Sequence, residues 1–79
     1  MIRVLVVDDS ALVRRLVTTS LTLDTEIEVA GVATNGREAV QLIEDLKPDA
    51  VTLDIEMPIL DGLGALAEIR RRHPKLPVI

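Results

Sequence analysis

The sequence predicts an α/β protein whose parallel sheet is doubly wound, with helices packed against both of its faces. Strand-like apolar runs alternate with longer amphipathic segments, and this alternation requires crossover connections and therefore a parallel sheet. The first run is continuously apolar, as expected of a strand that is covered on both sides. The first and third runs both end in aspartate, and ligands of such sheets bind beyond the carboxyl ends of the strands. The predicted order is β-α-β-α-β-α-β.

Composition narrows the class of protein. The 79 residues suit one small domain or part of one. Hydrophobic residues make up 48% of the chain, with no Phe, Tyr or Trp, so the core must consist of aliphatic side chains. The net charge of -4 and the lack of aromatic rings argue against nucleic-acid binding. With no cysteine and no apolar stretch near the roughly 20 residues that a membrane span needs, we expect a cytoplasmic protein with no membrane segment.

The first half of the chain contains two strands and the helix between them. The first strand, Ile2–Val7, is followed by a helix predicted over 10–22, for which Asp9 or Ser10 supplies the N-cap. The second strand is predicted over 26–33, where initial alternation and an internal glycine are typical of a half-exposed strand near a sheet edge. The apolar positions that recur at helical spacing in the helix are Leu12, Val13, Leu16, Val17 and Leu21.

The second half repeats this pattern. A second helix is predicted over 37–46, and the Lys-Pro-Asp sequence at 47–49 ends it. The third strand is predicted over 50–54. A third helix follows over about 63–72, and 78–79 opens a fourth strand. The positions that indicate the third helix are Leu63, Leu66, Ala67 and Arg70.

The candidate functional residues are carboxylates at the predicted strand ends. Asp8 and Asp9 follow the first strand, Asp54 ends the third, and Glu56 lies in the loop beyond it. Helix capping explains one aspartate of the pair, and a turn explains Asp54 taken alone. The paired arrangement instead favours a metal site, because like charges that converge require a cation or a changed protonation state.

The chemistry of these donors points to a hard cation. Carboxylate oxygens without His or Cys indicate Mg²⁺ or a similar ion. A carboxylate next to such an ion suits phosphoryl transfer, because the metal neutralises the phosphoryl oxygens while the carboxylate attacks in line. The product would be an aspartyl phosphate.

Two motifs give the sequence a specific family resemblance. VVDDS at 6–10 and DIEMPILDG at 54–62 resemble the receiver domain of bacterial two-component response regulators. The resemblance covers all 79 residues but only the first two thirds of a receiver, whose fold is a flavodoxin-like doubly wound sheet. It implies the β-α-β-α-β-α-β portion of that (βα)5 fold.

The resemblance also implies roles by position. Asp54 resembles the phosphoacceptor, Asp9 a direct ligand of Mg²⁺, and Asp8 a ligand that acts largely through water. The backbone carbonyl of Glu56 would complete the metal shell. A histidine kinase would supply the phosphoryl group, and a downstream effector domain would respond to it.

A narrower resemblance is to the amino-terminal receiver of chemotaxis protein-glutamate methylesterases, carried by VLVVDDSALVRRL and TLDIEMPILDGL. In that family, phosphorylation by the chemotaxis histidine kinase relieves inhibition of an esterase domain. The Ser or Thr and the Lys with which receivers contact the phosphoryl group would lie beyond Ile79, and no esterase Ser-His-Asp set is present. We therefore expect 1–79 to be a partial receiver, a phosphoacceptor rather than an enzyme, with any esterase activity in a longer protein.

Several alternatives remain open at this stage. The same Mg²⁺ and aspartyl nucleophile could serve a phosphohydrolase with Glu56 as general acid, and the chain could equally be an inert structural half-domain. A short fourth strand and exposed apolar surface predict a marginal monomer, a homodimer or a strand-exchanged oligomer. The basic segment 70–75 is more typical of a helix end that opposes the macrodipole than of a nucleic-acid patch. Arg14 and Arg15 form either a solvated helix face or part of a docking surface for the phosphotransfer partner.

Overall fold

A computed structural model describes residues 1–54 and 62–79. Its strands are parallel and lie in the order β2-β1-β3, which confirms the predicted fold class. Val78 forms a parallel bridge to Val51 on the outer side of β3, where the fourth strand was predicted to begin. The elements are β1 (Ile2–Val7), α1 (Ala11–Thr22), β2 (Ile27–Ala33), α2 (Gly36–Leu46), β3 (Ala50–Leu53) and α3 (Gly62–Arg72).

The central strand β1 organises the core. Its last four residues are buried, because β2 and β3 pair with its two edges and helices cover its two faces. Leu5 and Val7 point towards α2 and α3, and the alternate positions of the strand face α1. Helices therefore cover both faces, as predicted for a doubly wound sheet. The main core consists of Leu5, Val7, Ala33, Ala39, Ile43, Val51 and Ile69.

Side chains at the helix starts fix where α1 and α2 begin. Of the two candidate caps for α1, Ser10 is the N-cap, and its hydroxyl accepts a hydrogen bond from the Val13 backbone N–H at 3.2 Å. Asn35 caps α2 by accepting from Glu38 N–H at 2.8 Å, and the Glu38 carboxylate accepts from Thr34 N–H at 3.0 Å. The first bond satisfies an amide donor that the helix itself leaves without a partner, and the second ties the preceding residue to the first turn of the helix.

The amino end of the sheet is closed by contacts between β1 and the end of α2. Lys47 adopts a left-handed conformation with φ of 50° and donates its N–H to Ile43. The Arg3 guanidinium donates to the carbonyl of Leu46 at 2.6 Å and to that of Lys47 at 3.3 Å. A cation at this position also opposes the negative end of the helix dipole.

Two of the apolar helix faces differ from those that the sequence indicated. The third helix is present as predicted, but its buried positions are Ala65 and Ile69, whereas Leu63, one of the positions that indicated it, is 66% exposed. The small Ala65 allows α3 to approach the core closely. In α1 no residue is fully buried, although the helix has the apolar positions that the sequence indicated. Leu12 and Leu16 remain 66% and 57% exposed.

An ionic cluster joins α2 to the end of α3. Glu44 Oε1 lies 3.0 Å from His73 Nε2 and 3.6 Å from Arg72 Nη1. The hydrogen bond with His73 is the main reason that the pKa of Glu44 is lowered, and the charges of His73 and Arg72 act in the same direction. Within α3, hydrogen bonds from Arg71 and then Arg72 lower the pKa of Glu68.

Because folding lowers the pKa of Glu44, the stabilisation from this contact is present above the ordinary value of 4.5 and is lost as the pH falls through the lowered value. We predict that His73→Ala raises the pKa of the Glu44 carboxyl towards its ordinary value, as measured by NMR titration of side-chain carboxyl carbons. Glu68 is the internal control, because its arginine partners are retained. An unchanged Glu44 pKa would contradict the assignment of His73 as its main partner.

Candidate metal centre

The structure brings three of the four predicted site residues together. Asp8, Asp9 and Asp54 each offer a carboxylate oxygen, and these oxygens all lie within 4.8 Å of one another. Asp9 is exposed, whereas the other two are half-buried. The fourth predicted ligand, Glu56, lies outside the described residues, as do the neighbouring Met57, Pro58 and Asp61.

Backbone pairing between strands places Asp8 beside Asp54. The last paired residues of β1 and β3 are Val7 and Leu53, so the next residue of each strand leaves the sheet at the same level. The N–H of Asp54 donates to the carbonyl of Val7 at 3.1 Å, and the N–H of Asp8 donates to Ala33 at 3.1 Å. The site therefore lies where the strand order reverses around β1, the usual ligand position in this fold class.

The turn from β1 into α1 is held by contacts to Asp8. The N–H of Ser10 donates to Asp8 Oδ1 at 2.9 Å. From the first turn of α1, Arg14 Nη1 donates to the Asp8 carbonyl at 2.8 Å. Both the backbone and the side chain of Asp8 are thus restrained.

The donor set fits a hard divalent cation. Its oxygens are close enough for a small ion and its water shell to bridge them, and Mg²⁺ typically uses one or two carboxylates together with several waters. The sole histidine of the chain, His73, contacts Glu44 and takes no part in this group. Three carboxylates at this separation repel one another, and a bound cation relieves that repulsion.

A cavity of about 220 Å³ adjoins the acidic group. Asp8 and Asp54 line its polar side, and Val6, Val17 and Thr52 contribute to the remainder. The cavity is open to solvent on one side, and its lining is almost equally polar and apolar. The sequence reasoning did not identify Thr52, although residues 52 and 54 share one face of a strand by their spacing alone.

Known proteins resemble this chain in both sequence and fold. The model of the response regulator receiver domain family matches residues 4–79. A protein-glutamate methylesterase/protein-glutamine glutaminase of Lawsonia intracellularis is 57% identical over 79 residues, which is 100% of this chain. The match spans only 22% of that relative, so most of its length has no counterpart in this chain.

Two solved structures have the same architecture. The response regulator domain of Thermotoga maritima CheB is 46% identical with a TM-score of 0.90, covering 94% of this chain and 55% of that one. A CheX-CheY-BeF3-Mg²⁺ complex from Borrelia burgdorferi contains a chain that is 32% identical with a TM-score of 0.89, and the match covers 98% of this chain and 58% of the other. The described helices include none that is long and apolar enough to cross a membrane.

The Ser10 cap provides a test of how the site turn is stabilised. We predict that Ser10→Ala lowers the free energy of unfolding by about 1 kcal/mol, because the Val13 N–H loses its acceptor. The backbone bond from residue 10 to Asp8 is retained in this variant. Ser20→Ala, at an exposed site inside the same helix, is the matched control and should not destabilise the protein. Equal urea midpoints for the two variants would show that the cap does not stabilise the turn.

Proposed function

This chain belongs to the response regulator receiver domain family, and from that membership we propose that it is a Mg²⁺-dependent phosphoacceptor in two-component signalling. Asp54 accepts the phosphoryl group, and Asp8 and Asp9 hold the metal together with the backbone carbonyl of Glu56. The observation that carries the proposal is the convergence of three strand-end carboxylates within 4.8 Å. The CheY complex with Mg²⁺ and BeF3 among the structural neighbours supports it by analogy.

The contacts of the two N-terminal aspartates support different roles for them. One oxygen of Asp8 already accepts the Ser10 N–H at 2.9 Å, so its carboxylate is suited to holding a metal-bound water. Asp9 is exposed, and its carboxylate oxygen lies within 4.8 Å of those of Asp8 and Asp54, so it is suited to direct ligation. A Mg²⁺ ion bound there would neutralise charge on the phosphoryl oxygens.

Asp54 supplies the nucleophile for the reaction. A carboxylate oxygen of Asp54 attacks phosphorus in line, and the bond from phosphorus to the donor's imidazole nitrogen breaks. The electron pair of that bond stays on the imidazole, which takes up a proton. Asp54 follows directly after β3 and its N–H is bonded to Val7, so the nucleophile is carried on rigid backbone, as efficient phosphoryl transfer requires.

We also propose partners for this module. The phosphodonor is the phosphohistidine of a histidine kinase, and the added charge alters a surface read by a downstream effector. The high identity to chemotaxis methylesterases favours a protein-glutamate methylesterase as that effector in a longer protein. Such a module would act in the cytoplasm, where these kinases present their phosphohistidine.

The proposal predicts one phosphoryl group per chain on incubation with acetyl phosphate and Mg²⁺. Intact mass spectrometry should detect a single phosphate adduct that is lost in Asp54→Asn and in the presence of EDTA. Asp45→Asn, an exposed position on α2, is the matched control and should retain the adduct.

The possible outcomes separate the competing functions. Absence of an adduct on folded protein would contradict the phosphoacceptor role and favour an inert half-domain. Continuous release of phosphate from small phosphate esters, without an accumulating adduct, would favour a phosphohydrolase. The mass of the native protein also reveals whether two chains associate, as the exposed apolar surface predicts.

A further inference from the structure

We propose that Arg14 is a positioning residue for the metal centre, because it orients the peptide unit that joins Asp8 to Asp9. The inference rests on the proposed function, since it concerns how the same site is held in shape. Its role is distinct from the two that the sequence left open for this arginine, a solvated helix face or a docking surface.

The contact that carries the proposal runs from the helix back to the end of the strand. Arg14 Nη1 donates to the carbonyl oxygen of Asp8 at 2.8 Å, and the bond is partly buried. The backbone N–H of Arg14 donates to Ser10 at 2.9 Å in the first turn of α1. Arg14 is thus anchored to the turn through its backbone while its side chain reaches across that turn.

The neighbouring arginine provides a contrast. Arg14 is half-buried, whereas Arg15 is exposed. Two adjacent residues of a helix point about 100° apart, so the two cations lie on different faces. Removing either one changes the net charge of the helix start equally, but only the Arg14 change removes the contact with Asp8.

The orientation of the Asp8 carbonyl affects the relative positions of the Asp8 and Asp9 side chains. It belongs to the same peptide plane as the N–H of Asp9, so rotation of that plane moves the two side chains relative to each other. The N–H of Asp8 donates to the Ala33 carbonyl, and its Oδ1 accepts from the Ser10 N–H. The hydrogen bond from the Arg14 guanidinium restrains the remaining backbone group of Asp8, the carbonyl that is linked to the N of Asp9.

Two effects of Arg14 on cation binding have opposite signs. Its positive charge repels a cation, so loss of that charge alone would tighten binding. Loss of an outer-shell contact that orients metal ligands typically weakens binding by about 10-fold or more. The direction of the change in affinity therefore distinguishes positioning from simple repulsion.

The test is a Mn²⁺ titration of the 79-residue chain, with free Mn²⁺ counted by electron paramagnetic resonance, because Mn²⁺ accepts the same oxygen donors as Mg²⁺. We expect Arg14→Met to weaken Mn²⁺ binding by about 10-fold. Arg14→Lys keeps a donor and a charge and should recover most of the affinity. Arg15→Met is the matched control and should bind Mn²⁺ as the unmodified chain does, or slightly more tightly.

Urea unfolding of each variant verifies that the compared proteins are folded. If Arg14→Met does not fold, Arg14→Gln replaces it, because glutamine is too short to reach the Asp8 carbonyl. Unchanged or tighter binding in Arg14→Met, with normal binding by the unmodified chain, would overturn the inference alone. Failure of the unmodified chain to bind Mn²⁺, or unaltered binding in Asp54→Asn, would overturn the proposed function and the inference with it.

Discussion

The parallel pairing of β1 with β3 forces like charges together, and the rest of the site depends on that constraint. The register that aligns Val7 with Leu53 brings the following aspartates side by side, and the backbone bond from Asp54 to Val7 continues the pairing beyond the strand. Such proximity is unfavourable unless a cation or a proton compensates for it. The proposed cation would compensate for this repulsion, which is why the site depends on the register of the sheet.

The two ends of the sheet serve different purposes. At the carboxyl end, carboxylates, a capped helix and a small cavity lie together. At the amino end, Arg3 binds the last carbonyls of α2, and the Glu44 and His73 contact joins α2 to α3. These inter-element contacts of α2 are thus separated from the acidic group by the length of the sheet.

Much of this arrangement could be predicted from local sequence signals. Continuous apolar residues in β1 identified a strand that is covered on both faces, and Ser10 was one of the two candidate caps for α1. The face of α3 was not predictable in this way, because burial of Ala65 instead of Leu63 depends on how close the helix comes to the sheet. The contact of Arg14 with Asp8 could not be predicted from the sequence either, since the charged end of an arginine in an amphipathic helix is most often solvated.

The central claim is that the three strand-end aspartates form one cation site, and paramagnetic broadening tests it most directly. Substoichiometric Mn²⁺ is added to isotope-labelled protein, and the loss of each backbone amide signal is followed by NMR. The account predicts that the signals of residues 8, 9 and 54 disappear first and together, and that excess Mg²⁺ restores them. Broadening spread over other exposed acidic residues such as Glu26 and Glu28, or centred away from these strand ends, would contradict it.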